Sequence, residues 1–130
     1  MANRELTRNE LKAIVLAAGK SAIAADAQPI VLQNLGSRKI VDYVVENALQ
    51  VVLPGDLYIV VGCQRAEVQT HLGPRYRYVV QPEPLGTGNA VLQLYPQLKD
   101  FDGDLLILYG DTPLFRATSI RGLLNRHYLR

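Results

Sequence analysis

Apolar residues in this chain occur in two alternating patterns. Continuous, partly β-branched runs stand at Ala13-Ile14-Val15-Leu16-Ala17, Leu57-Tyr58-Ile59-Val60-Val61 and Leu105-Leu106-Ile107-Leu108-Tyr109, each followed closely by a glycine: Gly19, Gly62 and Gly110. The first predicts a strand buried on both faces, and the others repeat its strand pattern. Tyr76 to Val80 predicts another strand. Between the runs the period changes: Ile40, Val41, Val44, Val45, Ala48 and Leu49 recur at three- and four-residue steps and describe one face of a helix, which Pro54-Gly55 ends. Arg65 to Leu72 reads as a short helix stopped at Gly73. A third helix is expected to begin near Thr87 or Gly88 and to carry Ala90, Val91, Leu94 and Leu98, before a turn at Asp102-Gly103. A last helix spans Thr118 to Tyr128, with Ile120, Leu123 and Leu124 at helical spacing.

Parallel strands require long crossovers, so this alternation predicts one α/β domain, residues 12–130, with a mostly parallel sheet between helices. Residues 1–11 read as a polar tail, although Thr7 and Glu10 have capping-box spacing. Such sheets bind ligands at the carboxyl ends of their strands. Gly19, Gly62, Gln81 and Gly110-Asp111 all follow strands and lie on that edge.

Composition narrows the function classes. With 130 residues and 48% apolar side chains the chain can bury a single core, which excludes disorder. No apolar run approaches the roughly 18 to 20 residues of a membrane span. The net charge is +2, from 14 Lys and Arg against 12 Asp and Glu, and the basic residues are scattered, which argues against a nucleic-acid ligand. Cys63 is the sole cysteine, and with His71 and His127 it makes no zinc spacing, so the cytosol is the expected compartment.

Three segments could carry chemistry, and each has a plain structural alternative. Ala17-Ala18-Gly19-Lys20 leaves backbone N–H groups open beside small side chains, or is a tight strand-to-loop turn. Leu85-Gly86-Thr87-Gly88-Asn89 opens the third helix with two glycines and a hydroxyl, suited to carbonyl or anion oxygens, or is an N-cap by Thr87. Tyr109-Gly110-Asp111-Thr112-Pro113-Leu114 puts a carboxylate at a strand tip, where it could hold Mg²⁺ through one oxygen or serve as a turn residue. Arg75 and Arg77 alternate along the Tyr76 strand and are expected on one solvated face, and His71 and His127 read as surface or packing residues.

Taken together, Ala13 to Lys20, Val60-Val61-Gly62, Val80-Gln81-Pro82-Glu83-Pro84-Leu85-Gly86-Thr87-Gly88-Asn89-Ala90 and Leu108 to Leu114 resemble the sugar-phosphate nucleotidyltransferases, in order and spacing. The resemblance is closest to the uridylyltransferase domain of bacterial N-acetylglucosamine-1-phosphate uridyltransferases. It implies the N-terminal half of the nucleotide-diphospho-sugar transferase fold, a Rossmann-like three-layer sandwich. It also implies a UDP-N-acetylglucosamine pyrophosphorylase type of reaction, in which a sugar 1-phosphate attacks the α-phosphate of UTP. By the same resemblance Leu16, Ala17, Ala18, Gly19, Gln81, Gly86 and Thr87 hold the uracil. Gly110 lies near the ribose and sugar, Asp111 is one ligand of Mg²⁺, and UTP or a UDP-sugar is the partner.

Departures from the family pattern fall in the phosphate loop. Where the family continues Gly-Thr-Arg-Met and later Pro-Lys, this chain reads Ser21-Ala22-Ile23-Ala24 and Pro29-Ile30, so Ile23 and Ile30 replace an arginine and a lysine. Loss of one preorganised donor costs about 3 to 4 kcal/mol of transition-state stabilisation, so impaired catalysis is expected. The alternative function is a nucleotide or nucleotide-sugar binding module. Lys20, Arg38 and Lys39 are the nearest remaining cations. The family's second half, with most sugar contacts and another metal ligand, does not lie within these residues. An incompletely covered apolar surface near Leu105, Ile107 and the last helix motivates a homodimer.

Overall fold

The computed structural model describes residues 10–18, 30–62, 65–114 and 116–129. The elements run β1 (Glu10–Ala17), a 3-10 turn (Ile30–Leu32), β2 (Asn34–Leu35), β3 (Arg38–Lys39), α1 (Ile40–Ala48), a second 3-10 turn (Pro54–Asp56) and β4 (Leu57–Val61). There follow α2 (Arg65–Leu72), β5 (Arg77–Val80), α3 (Thr87–Leu92), α4 (Tyr95–Leu98), β6 (Gly103–Tyr109) and α5 (Ala117–Tyr128).

Four parallel strands form the main sheet in the order β5-β4-β1-β6. Alternation along each strand sends side chains to opposite faces. Ala13, Val15, Ala17, Leu57, Ile59, Val61, Leu106 and Leu108 join Val41, Val44 and Val45 of α1, Val68 of α2 and Ile120 of α5 in one core. Ile14, Tyr58, Val60 and Val79 face the other way, against Ala90 and Leu94. The result is the expected three-layer α/β sandwich. Because β1 and β4 are covered on both sides, Ala13, Ile14, Val15, Ile59 and Val60 are fully buried, which accounts for their unbroken apolar runs.

Several boundaries differ from the sequence expectation. β1 starts at Glu10, so Glu10 and Leu11 belong to the sheet rather than to a tail; they pair with Gly103 and Asp104 of β6. β5 starts at Arg77, so Arg75 lies outside it and the two arginines share no strand face. Arg75 donates to Tyr76 Oη at 2.7 Å, while Arg77 Nε donates to the Gly55 carbonyl at 2.8 Å. The third helix is two helices, α3 and α4. Pro96 has no N–H to continue a ladder and sits in the first turn of α4. β2 and β3 form an unforeseen antiparallel hairpin, held on α1 by Tyr43 Oη donating to the Leu35 carbonyl at 2.6 Å.

At the amino ends of the strands, Lys12 Nζ lies 3.1 Å from Asp56 Oδ1 and over the rings of Tyr58 and Phe101. At the α1 start, the Asp42 carboxylate accepts from the Lys39 backbone N–H at 2.9 Å and from His71 Nε2 at 2.8 Å, joining α1 to α2. His127 similarly meets Asp104 at 3.0 Å. Both histidines therefore tie elements together, in keeping with a packing role.

Candidate functional site

The chain proceeds outward from β1 through β4 to β5, then returns to place β6 on the other side of β1. Adjacent loops diverge where the order reverses, which opens a crevice at the carboxyl ends of the central strands. Here it is a cleft of about 290 Å³. Leu16 and Ala18 bring in the end of β1, and Tyr109 and Asp111 the end of β6. Ile30 and Val31 close one side; Gln81, Pro84, Gly86, Thr87 and Ala90 close another.

The segment from Gln81 to Ala90 owes its shape to Gly86, whose φ of 101° and ψ of 175° suit glycine alone. Gly86, not Thr87, is the N-cap of α3, and no side chain caps the helix. Its carbonyl accepts from Ala90 N–H at 3.0 Å and from Gln81 Nε2 at 3.2 Å. Gln81 is 6% exposed, the one buried polar side chain among the described residues, and its Nε2 also donates to Asn89 Oδ1 at 2.9 Å. Across the cleft Thr87 Oγ1 lies 3.4 Å from Tyr109 Oη.

Gly110 has a different reason to be glycine. Its N–H donates to the Leu16 carbonyl at 2.8 Å, and a Cβ added there would lie 2.8 Å from that oxygen and 3.2 Å from Val31 Cγ1. Close approach of β6 to β1 demands a bare Cα, and Gly110 stands behind the lining instead of in it. Ala17 likewise turns into the core shared with α1. Asp111 is exposed at the rim. The turn around it is closed by Thr112, whose N–H and hydroxyl both donate to the Tyr109 carbonyl.

Of the residues singled out in the sequence, Leu16, Ala18, Ile30, Gln81, Gly86, Thr87 and Asp111 converge on the cleft. Gly19, Lys20, Ile23 and Cys63 lie outside the described residues. Arg38 and Lys39 do not replace the missing cations. Arg38 donates to Glu46 Oε1 at 2.9 Å and lies over the Tyr43 ring, while Lys39 Nζ reaches Asn34 Oδ1 at 3.2 Å. Tyr109, Val31, Pro84 and Ala90 were not foreseen as lining. Tyr109 could have been read from its place beside Gly110-Asp111; Val31 could not, because its 3-10 turn left no periodic trace.

Residues 13–129 match the MobA-like NTP transferase domain. The chain belongs to that family. The NTP transferase family assignment agrees with 43% identity over 115 residues to the bifunctional protein GlmU of Picosynechococcus, covering 87% of this chain and 25% of that protein. The chain thus spans about a quarter of the length of the curated relatives it matches. Among solved structures, Rv0371c of Mycobacterium tuberculosis superposes with a TM-score of 0.69 at 17% identity, covering 92% of this chain and 61% of that one. A second crystal structure of Rv0371c is a complex with manganese. A nucleotidyl transferase from Methanothermobacter gives a TM-score of 0.68 at 20% identity over 88% of this chain and 56% of its own. These neighbours share the Rossmann-like NTP transferase fold. No helix among the described residues is long and apolar enough to cross a membrane.

Proposed function

We propose that the cleft binds the uridine part of UTP or a UDP-sugar, and that the chain serves as the nucleotide-binding part of a sugar-1-phosphate uridylyltransferase. The carrying observation is the convergence of Leu16, Ala18, Gln81, Gly86, Thr87 and Asp111 at the reversal of strand order. Gly110 fixes the spacing between the wall that holds the ribose and the Asp111 carboxylate. In the reaction an oxygen of the sugar 1-phosphate attacks the α-phosphorus of UTP. The bond from that phosphorus to the bridging oxygen breaks, and pyrophosphate leaves with the electron pair. Residues of the chain orient the nucleotide and exclude water from the base.

A divalent ion fits the rim in one limited way. Among the described residues Asp111 is the sole carboxylate lining the cleft, and Mg²⁺ commonly takes one or two carboxylates while phosphates and waters complete its shell. Asp111 would hold it through one oxygen, and the chemistry supplied there would be neutralisation of charge on the phosphates.

One observation favours a second reading, in which the chain binds nucleotides and turns over weakly. Among the described residues no cationic side chain lines the cleft, and Ile30 occupies the wall. Binding energy therefore comes from the nucleoside, and UMP should bind within about threefold of UTP, since an absent charge-assisted contact forfeits roughly 1.5 to 3 kcal/mol of phosphate discrimination. Calorimetric titration with UTP and UMP in Mg²⁺, beside a pyrophosphate-release assay with N-acetylglucosamine 1-phosphate, tests both readings. Turnover abolished by Asp111→Ala supports the transferase; binding without turnover supports the module; no binding of either nucleotide refutes both. We place the protein in the cytosol and propose self-association through Leu105, Ile107 and Tyr109, which are 41%, 43% and 49% exposed on one face of β6. Light scattering that shows only monomer would refute the association.

A further inference from the structure

Gln81 presents its amide to the cleft in one sense only, and the reason lies in two backbone carbonyls. The Gly86 carbonyl can only accept, so the Gln81 atom 3.2 Å from it must be Nε2. The second hydrogen of the same nitrogen goes to Asn89 Oδ1 at 2.9 Å. Asn89 in turn has no freedom to offer its nitrogen there. Gln93 Nε2 donates to the Asn89 backbone carbonyl at 3.1 Å and approaches Asn89 Oδ1 at 3.3 Å, so that oxygen faces two donors. Rotation of the Asn89 amide would set an NH₂ against both. With Nε2 committed twice inside the protein, the hydrogen-bonding atom of the Gln81 side chain left for a ligand is Oε1, an acceptor. No described residue donates to it.

We propose that Asn89, held by Gln93, is a positioning residue for Gln81 and sets the cleft to read a hydrogen-bond donor on a pyrimidine edge. This rests on the reading of the cleft as a nucleotide site. Uracil and thymine carry N3–H and meet the Gln81 acceptor. Cytosine has a lone pair at N3 and faces an oxygen with no proton between them. Gln81 is 6% exposed, so a base seated on it displaces the little water that reaches Oε1, and an unmatched edge leaves that acceptor unpaired. Asn89 thereby separates uridine from cytidine nucleotides without touching either.

The test compares the chain with Asn89→Ala and Asn89→Asp. Alanine frees one Nε2 hydrogen of Gln81, whereas aspartate keeps an acceptor for both glutamines. Titration calorimetry with UMP and CMP should give a preference for UMP of about tenfold or more in the original chain and in Asn89→Asp, falling to about threefold or less in Asn89→Ala. An equal loss of affinity for both nucleotides in Asn89→Ala, with the ratio intact, overturns the proposal. A second measurement needs no nucleotide: hydrogen exchange of the Gln81 side-chain amide, followed by ¹⁵N NMR. Exchange should be slow in the original chain and Asn89→Asp and faster in Asn89→Ala. Equal exchange in all three overturns the positioning role. If neither nucleotide binds while the exchange rates differ as expected, the nucleotide reading fails and the positioning of Gln81 stands.

Discussion

Gly110→Ala is the sharpest perturbation of the seam between β1 and β6. The added methyl carbon would sit 2.8 Å from the Leu16 carbonyl oxygen, 3.4 Å from Ala17 Cα and 3.2 Å from Val31 Cγ1. Two of these neighbours are backbone atoms of β1, an interior strand of the sheet, and cannot rotate away. Overpacking of this kind costs about 1 to 3 kcal/mol. Moving β6 outward also strains the 2.8 Å bond from Gly110 N–H to the Leu16 carbonyl, worth about 1 kcal/mol. The sum is about 2 to 4 kcal/mol, which for a chain of 130 residues lowers Tm by about 10 °C. Gly122→Ala is the internal control: Gly122 lies in α5 with open space where a Cβ would go, so alanine should stabilise by about 1 kcal/mol through helix propensity. Differential scanning calorimetry of the two variants reads both effects. Gly110→Ala melting with the original chain would refute the claim that packing, independent of any ligand, requires this glycine.

Other expectations come from different parts of the molecule. Burial raises the Tyr78 hydroxyl pKa above its usual 10.0, with Tyr76 adding to the shift, and the hydroxyl donates to the Gly73 carbonyl. The stability this contributes is complete below pH 10 and declines as pH rises through the folded-state pKa, so Tyr78→Phe should flatten the alkaline limb of a urea-midpoint profile; parallel profiles would contradict it. Ile30→Lys puts a cation on the cleft wall and should raise UTP affinity relative to UMP by about tenfold, the effect of roughly 1.4 kcal/mol, as read by calorimetry. Leu94, 1% exposed beneath the α3 layer, should cost about 2 to 5 kcal/mol when cut to alanine, measured by chemical denaturation.

What the sequence made legible follows from how much of each signal is local. β1 and β4 were evident because strands covered on two faces must be apolar at consecutive positions; β6 carries the same continuous apolar run although Leu105, Ile107 and Tyr109 leave one of its faces exposed. Leu11 escaped that reading: it is only partly buried and sits between Glu10 and Lys12 at the amino end of β1, where polar residues are tolerated. The division between α3 and α4 was present in the sequence as Pro96, but the apolar period of Ala90, Val91, Leu94 and Leu98 continues across it. Periodicity reports the buried face, not the continuity of the ladder. β2 and β3 are two residues each, too short for any period. For the cleft, Gln81, Gly86, Thr87 and Asp111 stood out from their places after strands and at a helix start, and the family resemblance gave them their roles. The fates of Arg38 and Lys39 depend on Glu46, Tyr43 and Asn34, contacts set by the hairpin's docking on α1 and invisible to spacing.

The cleft straddles two strands that meet only after most of the chain has been laid down: Leu16 and Tyr109 are register partners, and both line it. A molecule lodged there clasps the last strand to the first. At a concentration 100 times its dissociation constant it adds about 2.7 kcal/mol to the stability of the folded chain, concentrated at the junction whose contacts are the most distant in sequence. Ligand release and loosening of β6 from β1 are therefore linked equilibria, and occupancy of the cleft doubles as a gauge of whether the sheet has been completed.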